Sequence, residues 1–449
     1  MTEYRLQMIV GTPHRREKGQ ALVLIALAFV VLLGFVGLVV DVGAVFIQYA
    51  HLRRGVDAAS LSAAAQFREF RSLSEMTESA TEFLRLNGIP DALAVVEVCD
   101  PGAPDPELCT SPWKRKLVRV RATTEVQFTF MRILGFDFAP LTAEAIGEAA
   151  GLDVVLVLDR SESMSSDSGG DPSLCNPTNS CQPFEGVRAA AMGFIDNLYF
   201  PYDRAAIVTF DRAVHVDQNL TDDRDVALNA LANLSVFPRP GNPPCDYAPI
   251  ADPLNPLYPG QADPSGCTTT NIGGGLLGAA SVLSDPNFMR RDSLWVVVLL
   301  TDGAANHTSP MPGFPNGYCP ASTWIQDDCN LAIAEGDPFR DLCPICRDVD
   351  GIATRHDFED NPDEYDAEDY ARDQADELAA LSDRDMIFFT IGLGQQVTNT
   401  TYGKSDAGEE LLLYIADLAD GNYYESATAA DLGNIFTDIA QRIFTRITK

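Results

Sequence analysis

Histidine and lysine are the scarce residues of this 449-residue chain: it has five of each, against 27 arginines and 64 acidic residues. No two histidines stand at the spacing a zinc site uses, and no His-centred triad can be read from the order of residues. The paired C-x-x-C spacing of a zinc ribbon is absent as well. The shortage of positive charge removes another class. Residues 151–449 carry 17 Lys+Arg and 47 Asp+Glu, whereas residues 1–150 carry 15 and 17, within a net charge of −32. A surface that acidic repels phosphate backbones, which argues against a nucleic-acid partner.

What is present suits folded domains: 46% hydrophobic and 21% charged residues, over a length that holds two or three of them. Residues Ala21–Val40 form 20 consecutive uncharged and almost wholly apolar positions, enough at ~1.5 Å per residue to cross ~30 Å of hydrocarbon. Arg15, Arg16 and Lys18 precede this run and Asp41 follows it. The asymmetry predicts a cytoplasmic N-terminus, with the rest of the chain outside a bacterial cell membrane. A cleaved signal peptide has a shorter apolar core and a small-x-small site. This run is longer and continues into VDVGAVFIQYAHLRR, so a retained anchor is expected.

Beyond the anchor, residues 42–68 are rich in helix formers, interrupted by Gly55, and Val56, Ala59 and Ala63 fall on one face. Ser74–Leu86 reads as a second helix capped by Ser74 and stopped at Asn87-Gly88. Strands follow at Ala92–Cys99, Lys116–Thr124 and Leu141–Ala150. The ten cysteines fit an oxidising compartment. They fall in near pairs: Cys99 and Cys109, Cys175 and Cys181, Cys245 and Cys267, Cys319 and Cys329, Cys343 and Cys346. Nearest-neighbour pairing is the simplest arrangement, although spacing alone does not fix connectivity. Cys343-Pro-Ile-Cys346 has redox spacing but no flanking strand and helix, so a structural bridge is expected there.

The stretch from Arg15 to Ala65 resembles the N-terminal segment of TadE/TadG-like proteins of bacterial Flp (tight adherence) pilus assembly. The matching features are the basic-Gly lead-in, the apolar helix ending in Val40-Asp41, and Arg54-Gly55-Val56-Asp57-Ala58-Ala59 opening an Ala-rich stretch. Processed pseudopilins of this group carry Glu at the fifth position after the cleaved Gly. Counted from Gly19 that position is Leu24, so the resemblance favours an unprocessed TadG-like member.

From residue 151 strands and helices alternate. Leu152–Leu158, Ala205–Phe210, Leu294–Thr301 and Met386–Gly392 are short continuous apolar runs, as central parallel strands require. Helical stretches lie at Phe184–Leu198, Asp225–Leu234, Ile272–Leu283, Tyr365–Leu381, Glu409–Leu418 and Asp431–Ile447. This predicts an α/β fold with a doubly wound, mainly parallel sheet. It is preceded by a transmembrane helix and a small α+β pseudopilin-like region. The expected divisions are a tail at 1–20, the membrane helix at 21–41, a stalk at 42–150 and the sheet domain at 151–449. Asp357–Asp385 holds 13 acidic residues in 29. Tyr370, Gln374, Leu378 and Leu381 mark its buried stripe, and its charge reads as a solvated helix face. Asp348-Val349-Asp350-Gly351 is only a fragment of an EF-hand pattern.

Directly after the first of these strands stands Asp159-Arg160-Ser161-Glu162-Ser163. One carboxylate and two hydroxyls on one loop are hard oxygen donors, suited to Mg²⁺, Mn²⁺ or Ca²⁺. Thr270 opens the helix at Ile272, and Asp302 follows the strongest strand, all at the carboxyl edge where such sheets bind ligands. Together the three pieces resemble the metal-ion-dependent adhesion site of von Willebrand factor A domains. The resemblance implies hydroxyl ligands Ser161, Ser163 and Thr270, with Asp159 and Asp302 binding directly or through water. Glu162 replaces the usual Gly of the first motif. The expected cofactor is a divalent cation, Mg²⁺ first, and the expected partner is a protein offering an acidic side chain to the metal. With no nucleophile and base in motif form, binding is expected rather than an enzyme. The expected function is metal-dependent adhesion linked to pilus assembly or surface attachment. The alternative is an envelope chaperone or assembly factor using the same site on unassembled subunits.

Overall fold

The structure is a computed structural model and describes residues 20–67, 72–99, 108–109, 115–169, 172–237, 270–290, 293–311, 355–360, 365–381, 386–394, 397 and 407–447. The chain divides into two compact units: Met1–Gln66 with Arg71–Val98 and Leu117–Gly147, and Phe67–Phe70 with Cys99–Lys116 and Glu148–Lys449.

In the first unit, helix α1 (Gln20–Ala65) runs unbroken from the apolar stretch through Gly55. Leu22, Leu27, Leu32, Val36 and Val40 are all exposed, so the large apolar side chains of this half face outward, and Gly37 is its one buried position among the described residues. The second half behaves oppositely. Leu52, Val56, Ala59 and Ala63 are buried where α1 packs on α2 (Leu73–Leu86), whose own buried stripe is Met76, Ala80 and Leu84. Gly55 belongs to this contact, because a Cβ there would meet Ile89 Cδ1 at 2.7 Å. The cap of α2 is Ser72, not Ser74. Ser72 Oγ accepts the Glu75 N–H, and Glu75 returns a carboxylate to the Ser72 N–H at 2.8 Å, a complete capping box. Among the described residues a three-stranded sheet follows, in the order β1 (Leu93–Val98), β2 (Lys116–Gln127), β3 (Phe138–Ala149). Arg119 and Arg121 of β2 pair across it with Glu97 and Glu144 at 3.1 and 3.0 Å.

The second unit is the predicted α/β fold. Its elements in chain order are β4 (Leu152–Asp159), the single turn α3 (Pro172–Cys175), α4 (Phe184–Ile195), β5 (Arg204–Phe210), β6 (Val214–Thr221), α5 (Arg224–Ala232) and α6 (Ile272–Leu283). Then come β7 (Leu294–Thr301), α7 (Ala367–Ala380), β8 (Met386–Leu393), α8 (Ala407–Asp417), β9 (Asn422–Ser426) and α9 (Leu432–Ile447). The strands form one sheet in the order β6-β5-β4-β7-β8-β9, parallel except for β6. The chain leaves β4 toward β5 on one side and returns beside it as β7 on the other, which creates a switch point at β4. Each face carries its own core. Val187, Phe194, Leu231, Phe436 and Ile439 cover one, and Leu276, Val282, Ala371, Leu378 and Leu411 cover the other.

Two strands escaped the pattern reading. Val214–Thr221 and Asn422–Ser426 are edge strands with mixed polarity and partial exposure, so neither shows the continuous apolar run of a central strand. The acidic helix also needs correction. Glu368, Asp369 and Arg372 are buried, with Arg372 paired to Glu368 at 2.5 Å, whereas Leu381 is exposed. Small Ala367, Ala371 and Ala375 fill the packed face beside Leu378, which lets charged neighbours sink below the surface in pairs. Disulfides join Cys99 to Cys109 and Cys175 to Cys181. Cys245, Cys267, Cys319, Cys329, Cys343, Cys346 and the Asp348–Gly351 stretch lie outside the described residues.

Candidate functional site

The register of β4 places the first motif. Leu158 pairs with Thr209 on one side and Leu300 on the other, so Asp159 stands between Phe210 and Thr301 at the carboxyl edge. Asp159 is fully buried and both its oxygens are occupied. Oδ1 accepts the Ser161 N–H at 2.7 Å, and Oδ2 accepts the Thr301 hydroxyl at 2.7 Å. The chain then turns into a 3-10 segment, Glu162–Ser168, which brings the two serine hydroxyls within 2.8 Å of each other. Ser163 Oγ donates to Asp302 Oδ1 at 2.7 Å, so a hydrogen-bonded path links Ser161, Ser163 and Asp302 across 139 residues of sequence.

Thr270 arrives from a third direction. Its N–H donates to Asn306 Oδ1 at 2.5 Å and its carbonyl accepts the Asn306 N–H at 3.1 Å. Its hydroxyl lies beside the residue after Asp302, since a Cβ on Gly303 would stand 3.8 Å from Thr270 Oγ1. Asn271 caps α6 by accepting the Gly274 N–H at 2.8 Å, and its amide donates to the Arg212 carbonyl and to Ser309. The three glycines at 273–275 allow this close seat: a Cβ on Gly275 would lie 2.7 Å from Phe210 and 2.8 Å from Val157. Thus Asp159, Ser161, Ser163, Thr270 and Asp302 gather at one sheet edge. All but half-buried Ser163 are at most 5% exposed.

The electrostatics of this cluster are unusual. Burial pushes the Asp159 carboxyl up to about 6; the Ser161 and Thr301 hydroxyls pull it back, and the Asp211 charge pushes it further. Asp302 is raised well above the ordinary carboxylate range, first by burial and then by the Asp159 carboxylate beside it. The partners of both acids are hydroxyls and backbone N–H groups. Among the described residues no three His, Cys, Asp or Glu side chains converge on one point. The oxygens that gather here, hydroxyls and two carboxylates, are hard donors.

The sequence reading missed several contributors. Asp211 follows β5 as Asp302 follows β7, a carboxylate at a strand end that was legible in Phe210-Asp211. It binds Arg160 at 2.8 Å and so holds the guanidinium beside the motif loop. Thr301, Asn306 and Ser309 left no signal, since their roles depend on register and loop path. Glu162 is buried within the 3-10 segment. His307 is buried, and burial with the Arg212 charge pushes it down to about 3, leaving it neutral and weakly basic at neutral pH.

Residues 154–304 match the von Willebrand factor type A domain. Residues 19–66 match the Flp pilus-assembly TadE/G-like family. The chain therefore joins an A-type domain to a Tad-like segment, and the α1 helix fits a single-pass membrane anchor. Among solved structures, the fold is similar to the vWF domain of the type V pili tip protein Mfa5 from Porphyromonas gingivalis. That match has 16% identity and a TM-score of 0.41, over 67% of this chain and 97% of that one. It is also similar to a mutant of the PilB minor pilin from Streptococcus sanguinis, at 15% identity and a TM-score of 0.40, over 80% of each chain. A third similar structure is proximal thread matrix protein 1 from the mussel byssus, with a zinc-occupied MIDAS motif. There the identity is 15% and the TM-score 0.34, over 66% of this chain and 46% of that one. No curated protein sequence matches the chain.

Proposed function

We propose that this chain is a membrane-anchored, extracytoplasmic protein-binding module of Flp pilus assembly or surface attachment, and that its A-type domain binds partners through a divalent cation. The observation that carries the reading is the pair of buried carboxylates, Asp159 and Asp302. They are linked through Ser161, whose N–H reaches Asp159, and the Ser163 hydroxyl, which reaches Asp302; Thr301 adds a hydroxyl to Asp159, and no basic group takes part in those contacts. Buried carboxylates without a counter-charge are costly, and a cation is the group that relieves the cost.

Ser161, Ser163 and Thr270 would offer hydroxyl oxygens to the cation, Mg²⁺ first and Mn²⁺ or Ca²⁺ next, with Asp159 and Asp302 direct or through water. When bound, the cation supplies a Lewis-acidic position that a carboxylate of the partner protein completes. Asp159 has both oxygens engaged by Ser161 and Thr301, which suits it to orient a neighbour rather than move. Asp302 receives one hydroxyl, from Ser163, and keeps an oxygen for a ligand. No described nucleophile and base stand together at these oxygens, and His307 is too weak a base to serve, so the reading is of binding rather than hydrolysis. The Tad-like match at residues 19–66 supports pilus or envelope proteins as the partners. The test is affinity capture with the detergent-solubilised full chain from envelope extracts, with Mg²⁺ or with chelator. A pilus or envelope protein retained only with Mg²⁺, and lost with Asp302→Ala, is expected. Capture that ignores both chelator and substitution would sink the reading.

A further inference from the structure

The connection between β2 and β3, residues 128–137, is a loop with an inverted surface. Ile133, Leu134 and Phe136 are 83%, 71% and 57% exposed, and Phe130 and Phe138 are exposed beside them. The tip also carries the exposed Arg132–Asp137 pair at 3.4 Å, but the exposed apolar side chains outnumber it, and such a cluster marks a binding surface rather than an ordinary turn. Its backbone, by contrast, is closed on itself. The N–H groups of Thr129, Phe130 and Met131 all donate to the Asp41 carboxylate, at 2.9, 2.9 and 2.7 Å. Phe128 N–H donates to the Asp137 carbonyl, Ile133 to Phe130, Gly135 to Arg132 and Phe136 to Met131. Apolar side chains facing out over satisfied N–H groups are what a low-dielectric surrounding demands.

Position decides the occupant. Phe130 lies against Gly37 of α1, where a Cβ would meet Phe130 Cβ at 2.8 Å. Residues 37–41 lie ~24–30 Å along the helix from Ala21, at ~1.5 Å per residue, and so at the far boundary of a bilayer that the apolar run spans. Asp41, the first charge after that run, is only 2% exposed because the hairpin covers it. Exposed apolar surface then continues past it on α1 through Val42, Phe46 and Ile47. The tip and the helix thus both carry exposed apolar side chains near the membrane boundary, with Arg132 and Asp137 able to reach the headgroups. We propose that the β2–β3 tip, latched to the anchor helix by Asp41, dips into the adjoining phospholipid leaflet as a second and shallow membrane contact. This rests on the membrane-anchor reading.

The test uses the full chain in phosphatidylcholine vesicles, with and without brominated acyl chains, and reads the fluorescence lost relative to the parent chain. Three substitutions are compared: Ile133→Trp at the tip, Phe29→Trp within the apolar run, and Ile146→Trp, exposed on β3 ~26 Å along the strand from Phe138. Expected is strong quenching at 29 and 133, several-fold above that at 146. Adding Asp41→Ala should bring the value at 133 down toward that at 146 while leaving 29 unchanged. Quenching at 29 but no more at 133 than at 146 overturns the proposal and spares the anchor. No quenching at 29 overturns both.

Discussion

Asp153 and Asp159 stand near opposite ends of β4, and both are fully buried, yet the fold treats them in opposite ways. At the amino end, Asp153 receives Arg204 through two bonds of 2.8 Å, Arg290 at 2.5 Å and the Ser293 hydroxyl at 2.5 Å. Burial alone would raise its carboxyl, but the two guanidiniums overcome that and hold it below the ordinary range. At the carboxyl end, Asp159 receives one N–H and hydroxyls, no guanidinium bonds to it, and the Asp211 charge pushes it further up. Where a carboxylate serves the scaffold, the chain supplies cations of its own. Where the counter-charge is left out, the proposed function has a cation supply it from solution. The difference of chemistry along a single strand separates a charge-paired acid from one without a cation among its hydrogen-bond partners, which is the contrast the proposed cation site rests on.

The largest expected effect tests the structural end. Asp153→Ala strands Arg204 and Arg290 in a buried setting, and losing one partner of a buried ion pair costs about 3–5 kcal/mol. Urea unfolding of the full chain in detergent should show that loss, while Asp159→Ala under chelator should cost far less or stabilise. Equal losses at the two positions would erase the contrast. Next in size is the pH response without metal. Folding raises Asp159 from 3.8 to about 6, so the folded state keeps a proton that the unfolded chain has released. Its stability contribution is full below 3.8 and is lost as pH rises through about 6, by at most roughly 3 kcal/mol at ~1.4 kcal/mol per unit. Asp153, held low, contributes the other way: its stabilisation is present at neutral pH and fades as pH falls below 3.8. Unfolding midpoints at pH 5 and 7.5 should fall with pH in wild type and fall less in Asp159→Asn.

Much of this contrast was readable before the structure. Continuous apolar runs identified β4, β5, β7 and β8, and strand-helix alternation required a sheet with a switch point. Asp159, Ser161 and Ser163 stood out because three hard donors share five residues, and Asp302 because it ends the most apolar strand. Thr270 was legible only as the hydroxyl before a glycine-rich helix start. The rest depended on pairing. Nothing in Thr301 announces a donor to Asp159; the parallel register of β4 with β7 makes it one. Arg290 shares a cluster with Asp153 across 137 residues, a distance no local pattern bridges. Polar edge strands such as Val214–Thr221 were missed because half-exposed strands lose the apolar run that marks a buried one.

A third experiment supplies the missing counter-charge. A cation that binds only the folded site stabilises by RT ln(1+[L]/Kd), about 2.7 kcal/mol at a hundredfold excess over Kd. Millimolar Mg²⁺ or Mn²⁺ should raise the unfolding midpoint of the full chain, and chelator should reverse it. Asp302→Asn keeps shape and removes charge, so it should abolish the shift with little cost to the apo protein. A shift that survives this substitution would place the cation elsewhere.

The finest test alters one hydroxyl. Thr301 donates to Asp159 Oδ2 at 2.7 Å and contacts Gly303 through the same oxygen. Thr301→Val keeps the branched shape and removes the donor, at a cost of about 1 kcal/mol for a hydrogen bond to a buried group. The sign is what discriminates. That hydroxyl favours the charged carboxylate, so its loss should push Asp159 further up, and a cation must then displace a more tightly held proton. The pH at which Mg²⁺ stabilises the chain half-maximally should move upward, while stability at pH 5 under chelator falls by no more than about 1 kcal/mol. At the other end of the strand, Ser293→Ala removes a hydroxyl from Asp153 but leaves both guanidiniums in place, so the metal midpoint should stay where it is. If both substitutions shift it alike, the two ends of β4 are not electrostatically separate, and the distinction between scaffold acid and ligand acid collapses.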